Sequence, residues 1–176
     1  CQVVAEIAAN AVQNAHVFES FDLDREDLQR RALEDERLGV FHPHVFVRRL
    51  EEEVARAYRY RQPLACVAIE PDRRDGAAPD PILRDIAALI KASIRRSDVL
   101  ARHTDGRLLL MLPLTSGEGA RVKADRLRAA GGARQYGEPA AAVTLSLGVA
   151  AGVPEARTGA DRLLAVSLAA LRQAQE

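Results

Sequence analysis

Only three residues, Thr104-Asp105-Gly106, separate two apolar runs at Val99–His103 and Arg107–Leu112. An Asp-Gly pair in that setting predicts a β-hairpin, because both residues tolerate the positive φ of tight hairpin turns. A hairpin is an antiparallel unit, so any sheet containing it is not fully parallel.

Helical and strand patterns alternate on both sides of it. Residues 3–18 place Val4, Ile7, Ala8, Ala11, Ala15 and Phe18 on one helical face. The charged stretch Glu19–Glu36 reads as a helical or partly helical linker, with a short coiled coil as the alternative, although three or four sustained heptads are absent. A helix is expected from Pro43 to about Arg61, with Val45, Phe46, Leu50, Val54 and Ala57 inward. Leu64–Ile69 is a continuous apolar run and hence a buried strand, and 71–79 is a loop. Residues 81–96 carry Ile82, Ile86, Leu89, Ile90 and Ile94 at helical spacing. Ser116 is a suitable N-cap for a helix over Ser116–Ala129. Gly131–Pro139 reads as a loop, Val143–Ala150 as a strand and Asp161–Gln173 as a closing helix. This order predicts a two-layer α/β (α+β) fold with a central mixed sheet. The expected organisation is an N-terminal helix and linker over 1–34 and a globular domain over 35–176.

At 176 residues and 48% hydrophobic composition the chain is long enough to bury a core. Its 25 basic and 25 acidic residues cancel, which argues against charge-driven binding to nucleic acid or anionic membrane. Cys1 and Cys66 lack any ligand pattern, so neither a disulfide framework nor a zinc site is expected. A reducing, cytoplasmic setting follows, with no apolar run of membrane-span length. The chain starts without methionine and is read as part of a longer protein, whose membrane attachment through other segments stays open.

Several segments resemble the GGDEF (diguanylate cyclase) family in order and separation. Asp35-Glu36-Arg37-Leu38-Gly39-Val40-Phe41 resembles its opening D-x-L-T-G-L signature, and Pro63–Glu70 its first core strand. Arg102–Pro113 falls where the family has R-Y-G-G-D-E-F-x-x-x-x-P. Thr144-Leu145-Ser146-Leu147-Gly148-Val149-Ala150 matches its T-[IV]-S-[IL]-G-V-A strand. Residues 3–18 resemble the last helix of a GAF domain. The whole arrangement is similar to that of the Pel-system cyclic di-GMP receptor. The resemblance implies the family's cyclase-like palm.

The family's cyclases hold divalent metal between two carboxylates. Glu70 matches the first, but Arg107 stands at the second, in the run Thr104-Asp105-Gly106-Arg107-Leu108. Thr104 and Asp105 replace glycines, and the loop after Glu70 is too short to carry the family's guanine-reading asparagine. Asp80 matches a second guanine-binding position. Leu168 and Gln175 fall where the closing helix offers an aspartate and a phosphate-binding lysine. These departures imply that the chain is not an enzyme, has no catalytic residues and needs no metal or other cofactor.

The family's product-binding inhibitory site, R-x-x-D, has a counterpart in Arg95-Arg96-Ser97-Asp98. Arg126, within Ala124-Asp125-Arg126-Leu127-Arg128, matches a third element of that site. Arg56 matches a position that reaches a partner's site. The resemblance thus implies a receptor in which Arg95, Asp98, Arg126 and further Arg56 bind cyclic di-GMP, with a guanidinium fork on guanine O6 and N7 and a carboxylate on its N–H groups. A homodimer, through the N-terminal helix or a shared ligand, and an unidentified output protein are the partners expected. The alternative is a nucleotide-independent dimerisation or protein-interaction module.

Overall fold

A computed structural model of the chain describes residues 32–72, 78–103, 105–136, 141–156 and 159–175. The helix expected over 3–18 and most of the linker lie outside these residues, as does Thr104. Asp35–Glu176 forms a compact unit.

The elements are β1 (Glu34–Asp35), β2 (Val40–Phe41), α1 (Pro43–Tyr60), β3 (Leu64–Asp72), α2 (Asp80–Lys91), β4 (Val99–Arg102) and β5 (Leu108–Pro113). They continue with α3 (Gly117–Gly132), β6 (Gln135–Tyr136), β7 (Ala141–Ala142), β8 (Thr144–Gly152) and α4 (Ala160–Ala174). The main sheet runs β1-β2-β4-β5-β3-β8, and β6-β7 form a small separate ribbon. β2 and β4 are parallel, whereas β4–β5, β5–β3 and β3–β8 are antiparallel. The fold is therefore the expected α/β type with a mixed sheet and an internal hairpin.

Helices cover both faces of the sheet. Side chains alternate across a strand. Ala65, Val67 and Ile69 of β3 join Leu108, Leu110 and Leu112 of β5 under Leu83, Ile86 and Ile90 of α2 and Leu127 of α3. Leu64, Cys66 and Ala68 join Leu109 and Met111 under Phe46, Leu50 and Val54 of α1 and Leu171 of α4. An unbroken apolar strand such as β3 requires cover on both sides, and three layers supply it.

Two glycines set critical points. Gly106 has φ +88° with open space around it, so it is there for its backbone angle. The Gly106 amide donates to the His103 carbonyl at 3.1 Å, and the His103 amide to the Arg107 carbonyl at 2.7 Å. Gly148 on β8 is there for space. A Cβ on it would lie 2.1 Å from the Leu171 amide nitrogen and 2.2 Å from the Ser167 carbonyl oxygen of α4. Among the described residues no helix is long and apolar enough to cross a membrane.

Candidate functional site

The R-x-x-D segment occupies the turn between α2 and β4. The periodicity had placed Arg95 at a helix end, but α2 stops at Lys91. Ser93 Oγ donates to the Ile90 carbonyl at 2.8 Å, a local side-chain bond that competes with helix continuation. Beyond it, the Arg95 amide donates to Asp98 Oδ2 at 2.8 Å and the Asp98 amide to the Arg95 carbonyl at 3.1 Å. Ser97 Oγ reaches Asp98 Oδ1 at 3.4 Å. This reciprocal pair fixes the Asp98 carboxylate beside the Arg95 backbone and leaves the Arg95 side chain exposed.

Arg126 is exposed on α3, between Ala124 and Leu127, which are buried. Lys123, one turn earlier, donates to the Ser93 carbonyl and so ties α3 to the turn that carries Arg95. Residues three apart share a helix face, which puts Arg126 on the side that meets this turn. Among the described residues neither the Arg95 nor the Arg126 guanidinium has an ion-pair partner. Arg56 is not brought to this corner. It lies on α1, across the sheet, and pairs with Glu53 at 3.7 Å.

A second cluster sits at the hairpin end of the sheet. Arg107 Nε donates to Glu70 Oε2 at 2.5 Å and Arg107 Nη1 to Asp105 Oδ2 at 2.6 Å. Asp105 Oδ1 also meets His103 Nδ1 at 2.6 Å. Hydrogen bonding to Glu70 outweighs the cost of burial and raises the Arg107 pKa. Burial pushes the Asp105 carboxyl up, but the bonds from His103 and the Arg107 amide, with the charge of both side chains, hold it below its ordinary value.

Asp80 belongs to a third network. Arg37 donates to its Oδ2 at 2.8 Å, and Arg102 to its Oδ1 at 3.0 Å and to Asp35 Oδ2 at 3.2 Å. The Arg37 hydrogen bond, followed by the charges of Arg102 and Arg37, lowers the Asp80 pKa. The carboxylate that matched a guanine-binding position is thus engaged with two guanidinium groups. No sequence pattern pointed to this network, whose partners stand 22 to 67 residues apart. Leu168 packs against the core, and Gln175 is exposed at the end of α4.

The two positions that the resemblance assigned to the family's metal-holding carboxylates are occupied by Glu70 and Arg107, which bond to each other. Glu70 is already bonded to a fixed cation, and a guanidinium in the second ligand position repels a metal ion. Among the described residues no three His, Cys, Asp or Glu side chains are grouped to hold one.

A mixed sheet between helix layers, an internal hairpin and an Arg-x-x-Asp turn before it define a nucleotide-cyclase-like domain. The family model for "Diguanylate cyclase, GGDEF domain" matches residues 39–176, and the chain belongs to that family. It is 31% identical over 160 residues to diguanylate cyclase DgcP of Pseudomonas aeruginosa, a match spanning 85% of this chain and 23% of DgcP. The chain thus covers about a quarter of that curated relative. The coiled coil and GGDEF domain of DgcB from Caulobacter crescentus, solved in complex with c-di-GMP, superimposes with a TM-score of 0.81 at 16% identity. That match covers 96% of this chain and 94% of DgcB's. The GGDEF domain of TpbB (YfiN) from Pseudomonas aeruginosa gives 0.71 at 28% identity, covering 81% and 88%.

One expectation is overturned here. The departures around the hairpin had implied that the chain is not an enzyme. Instead, a diguanylate cyclase family model spans most of the chain, and a relative named as a diguanylate cyclase aligns over 85% of it.

Proposed function

We propose that this GGDEF domain binds cyclic di-GMP at the corner formed by Arg95, Asp98 and Arg126 and passes the binding event to an output partner. The observation that carries the reading is the state of these three side chains. Asp98 is fixed by the Arg95 amide, while the Arg95 and Arg126 guanidinium groups are exposed and free of ion pairs among the described residues. A preset carboxylate and two available forks match a guanine edge flanked by phosphates, and little ordering is needed on binding. DgcB, with the same fold, was solved with c-di-GMP bound, which supports the ligand class. Residues 1–34 are read as the end of a GAF-like unit and a linker, an arrangement similar to the Pel-system receptor. A dimer bridged by the ligand, with Arg56 of one copy meeting the corner of the other, is the assembly this reading favours.

Titration calorimetry with cyclic di-GMP tests it. Micromolar binding, about −8 kcal/mol, is expected, lost in Arg95→Ala and weakened in Arg126→Ala. Absence of both heat and thermal stabilisation at high ligand would refute the receptor reading and favour the nucleotide-independent interaction module.

A further inference from the structure

Arg107 precedes β5, and its guanidinium touches two carboxylates that approach from different directions. Glu70 comes from β3 and Asp105 from the hairpin turn, and the donors Nε and Nη1 each serve one of them, at 2.5 and 2.6 Å. The Arg107 amide adds a third link, to Asp105 Oδ1 at 3.2 Å. The Arg107 side chain is only 24% exposed, so the cation is partly withdrawn from water together with its partners. Two carboxylates at one partly buried site repel each other unless a cation lies between them. The planar, permanently charged guanidinium meets that need with directed bonds.

We propose that Arg107 is the resident cation of this site. By the resemblance, Arg107 stands at the position of a metal-holding carboxylate, and Glu70 and Asp105 do not take Mg²⁺ or Mn²⁺ while its guanidinium is in place. A metal ion would have to strip Glu70 of a short charge-assisted bond and settle beside a like charge. The same contacts make Arg107 a clamp. It fastens the turn, through Asp105, to the last part of β3, through Glu70. The clamp lies at the hairpin end alone and is independent of the proposed cyclic di-GMP corner.

Two measurements on the full chain decide it. In the first, Mn²⁺ is titrated in and the paramagnetic resonance signal of the free ion is followed. The chain and its Glu70→Gln variant should deplete that signal equally. A saturable site that Glu70→Gln removes would overturn the proposal. The second is the thermal midpoint of Arg107→Ala, Glu70→Gln and the double variant. Because each single change strands a charged or polar partner, the double variant should melt well above the sum of the two losses. Additive losses would equally overturn the proposal. Should Arg107→Ala fail to fold, Arg107→Lys takes its place in the cycle, since a lysine keeps the charge but not the fork.

Discussion

Replacing Gly148 by alanine adds one methyl group where β8 meets α4. The added carbon would sit 2.1 Å from the Leu171 nitrogen, 2.2 Å from the Ser167 oxygen and 2.7 Å from the Leu171 Cα. Ordinary contact begins near 3.4 Å, so the helix or strand must yield by about 1.3 Å at the closest atom. All three obstructing atoms are backbone, so no side-chain rotation relieves the clash. β8 cannot retreat easily, because Gly148 pairs with Ala68 within a nine-residue antiparallel ladder to β3. α4 must therefore move, and it anchors through Ser167 and Leu171, both fully buried. Overpacking a core typically costs ~1–3 kcal/mol, and a clash with backbone belongs at or above the top of that range. At roughly 2–4 °C per kcal/mol for a chain of this size, Gly148→Ala should lower the melting temperature by about 6–12 °C. Thermal unfolding followed by circular dichroism measures this directly. A midpoint within about 1 °C of the parent protein would show that β8 and α4 do not pack as described.

Cys66 is fully buried, and burial pushes its thiol up to about 11, partly offset by the Ser167 hydroxyl. Only the thiolate reacts, so in a Cys1→Ser background a disulfide reagent at pH 8 should label native Cys66 at least 100-fold more slowly than the same residue in the urea-unfolded chain. A folded-state pKa raised above the unfolded value means that this contribution to stability is present below the unfolded pKa and is lost as pH rises toward 11. Asp80 has the opposite sign. Its folded pKa is lowered, so its stabilising contribution is present above the unfolded value near 4 and is lost as pH falls below it. Asp80→Asn should slightly flatten the acid limb of a stability–pH profile, since solvent screens the pair that Asp80 makes with the largely exposed Arg37. An unchanged acid limb would argue against the Arg37–Asp80–Arg102 network.

The strands were legible because an apolar run is a local signal, and β3, β5 and β8 appear where Leu64–Ile69, Arg107–Leu112 and Val143–Ala150 announced them. Their ends were less so. β3 continues through Glu70 and Pro71 to Asp72 because β8 pairs with it to the end, although β5 stops opposite Ile69. With one side of the strand open there, a residue lacking an N–H is tolerated. α2 ended early because Ser93 and the Arg95–Asp98 turn supply bonds that helical periodicity does not reveal. The small β6–β7 ribbon rests on two residues per strand, too few for an alternation to register. Arg95 and Asp98 could be paired from their spacing alone. The use of Asp80 by Arg37 and Arg102, and of Glu70 by Arg107, required the fold to bring distant residues together.

The same contacts leave the proposed binding corner with an excess of cations in a chain of zero net charge. At the hairpin end, cations are matched by carboxylates: Arg107 by Glu70 and Asp105, and Arg102 by Asp35 and Asp80. Around the α2–β4 turn the balance is different. Lys91 and Lys123 bond to the carbonyls of Gly39 and Ser93, and a carbonyl leaves the ammonium charge uncancelled. Arg95, Arg96 and Arg126 add three exposed guanidinium groups, while Asp125 is drawn toward Arg128 at 3.5 Å. A positive field of this kind is screened over about 10 Å at 0.1 M salt and about 3 Å at 1 M. Affinity for the doubly charged dinucleotide should therefore fall about tenfold, ~1.4 kcal/mol, between low and high salt, whereas binding of uncharged guanosine should hardly change. Calorimetry at several salt concentrations separates the two. Affinity for cyclic di-GMP that is independent of salt would mean that its phosphates do not meet these cations, and the corner would have to be withdrawn as the binding site.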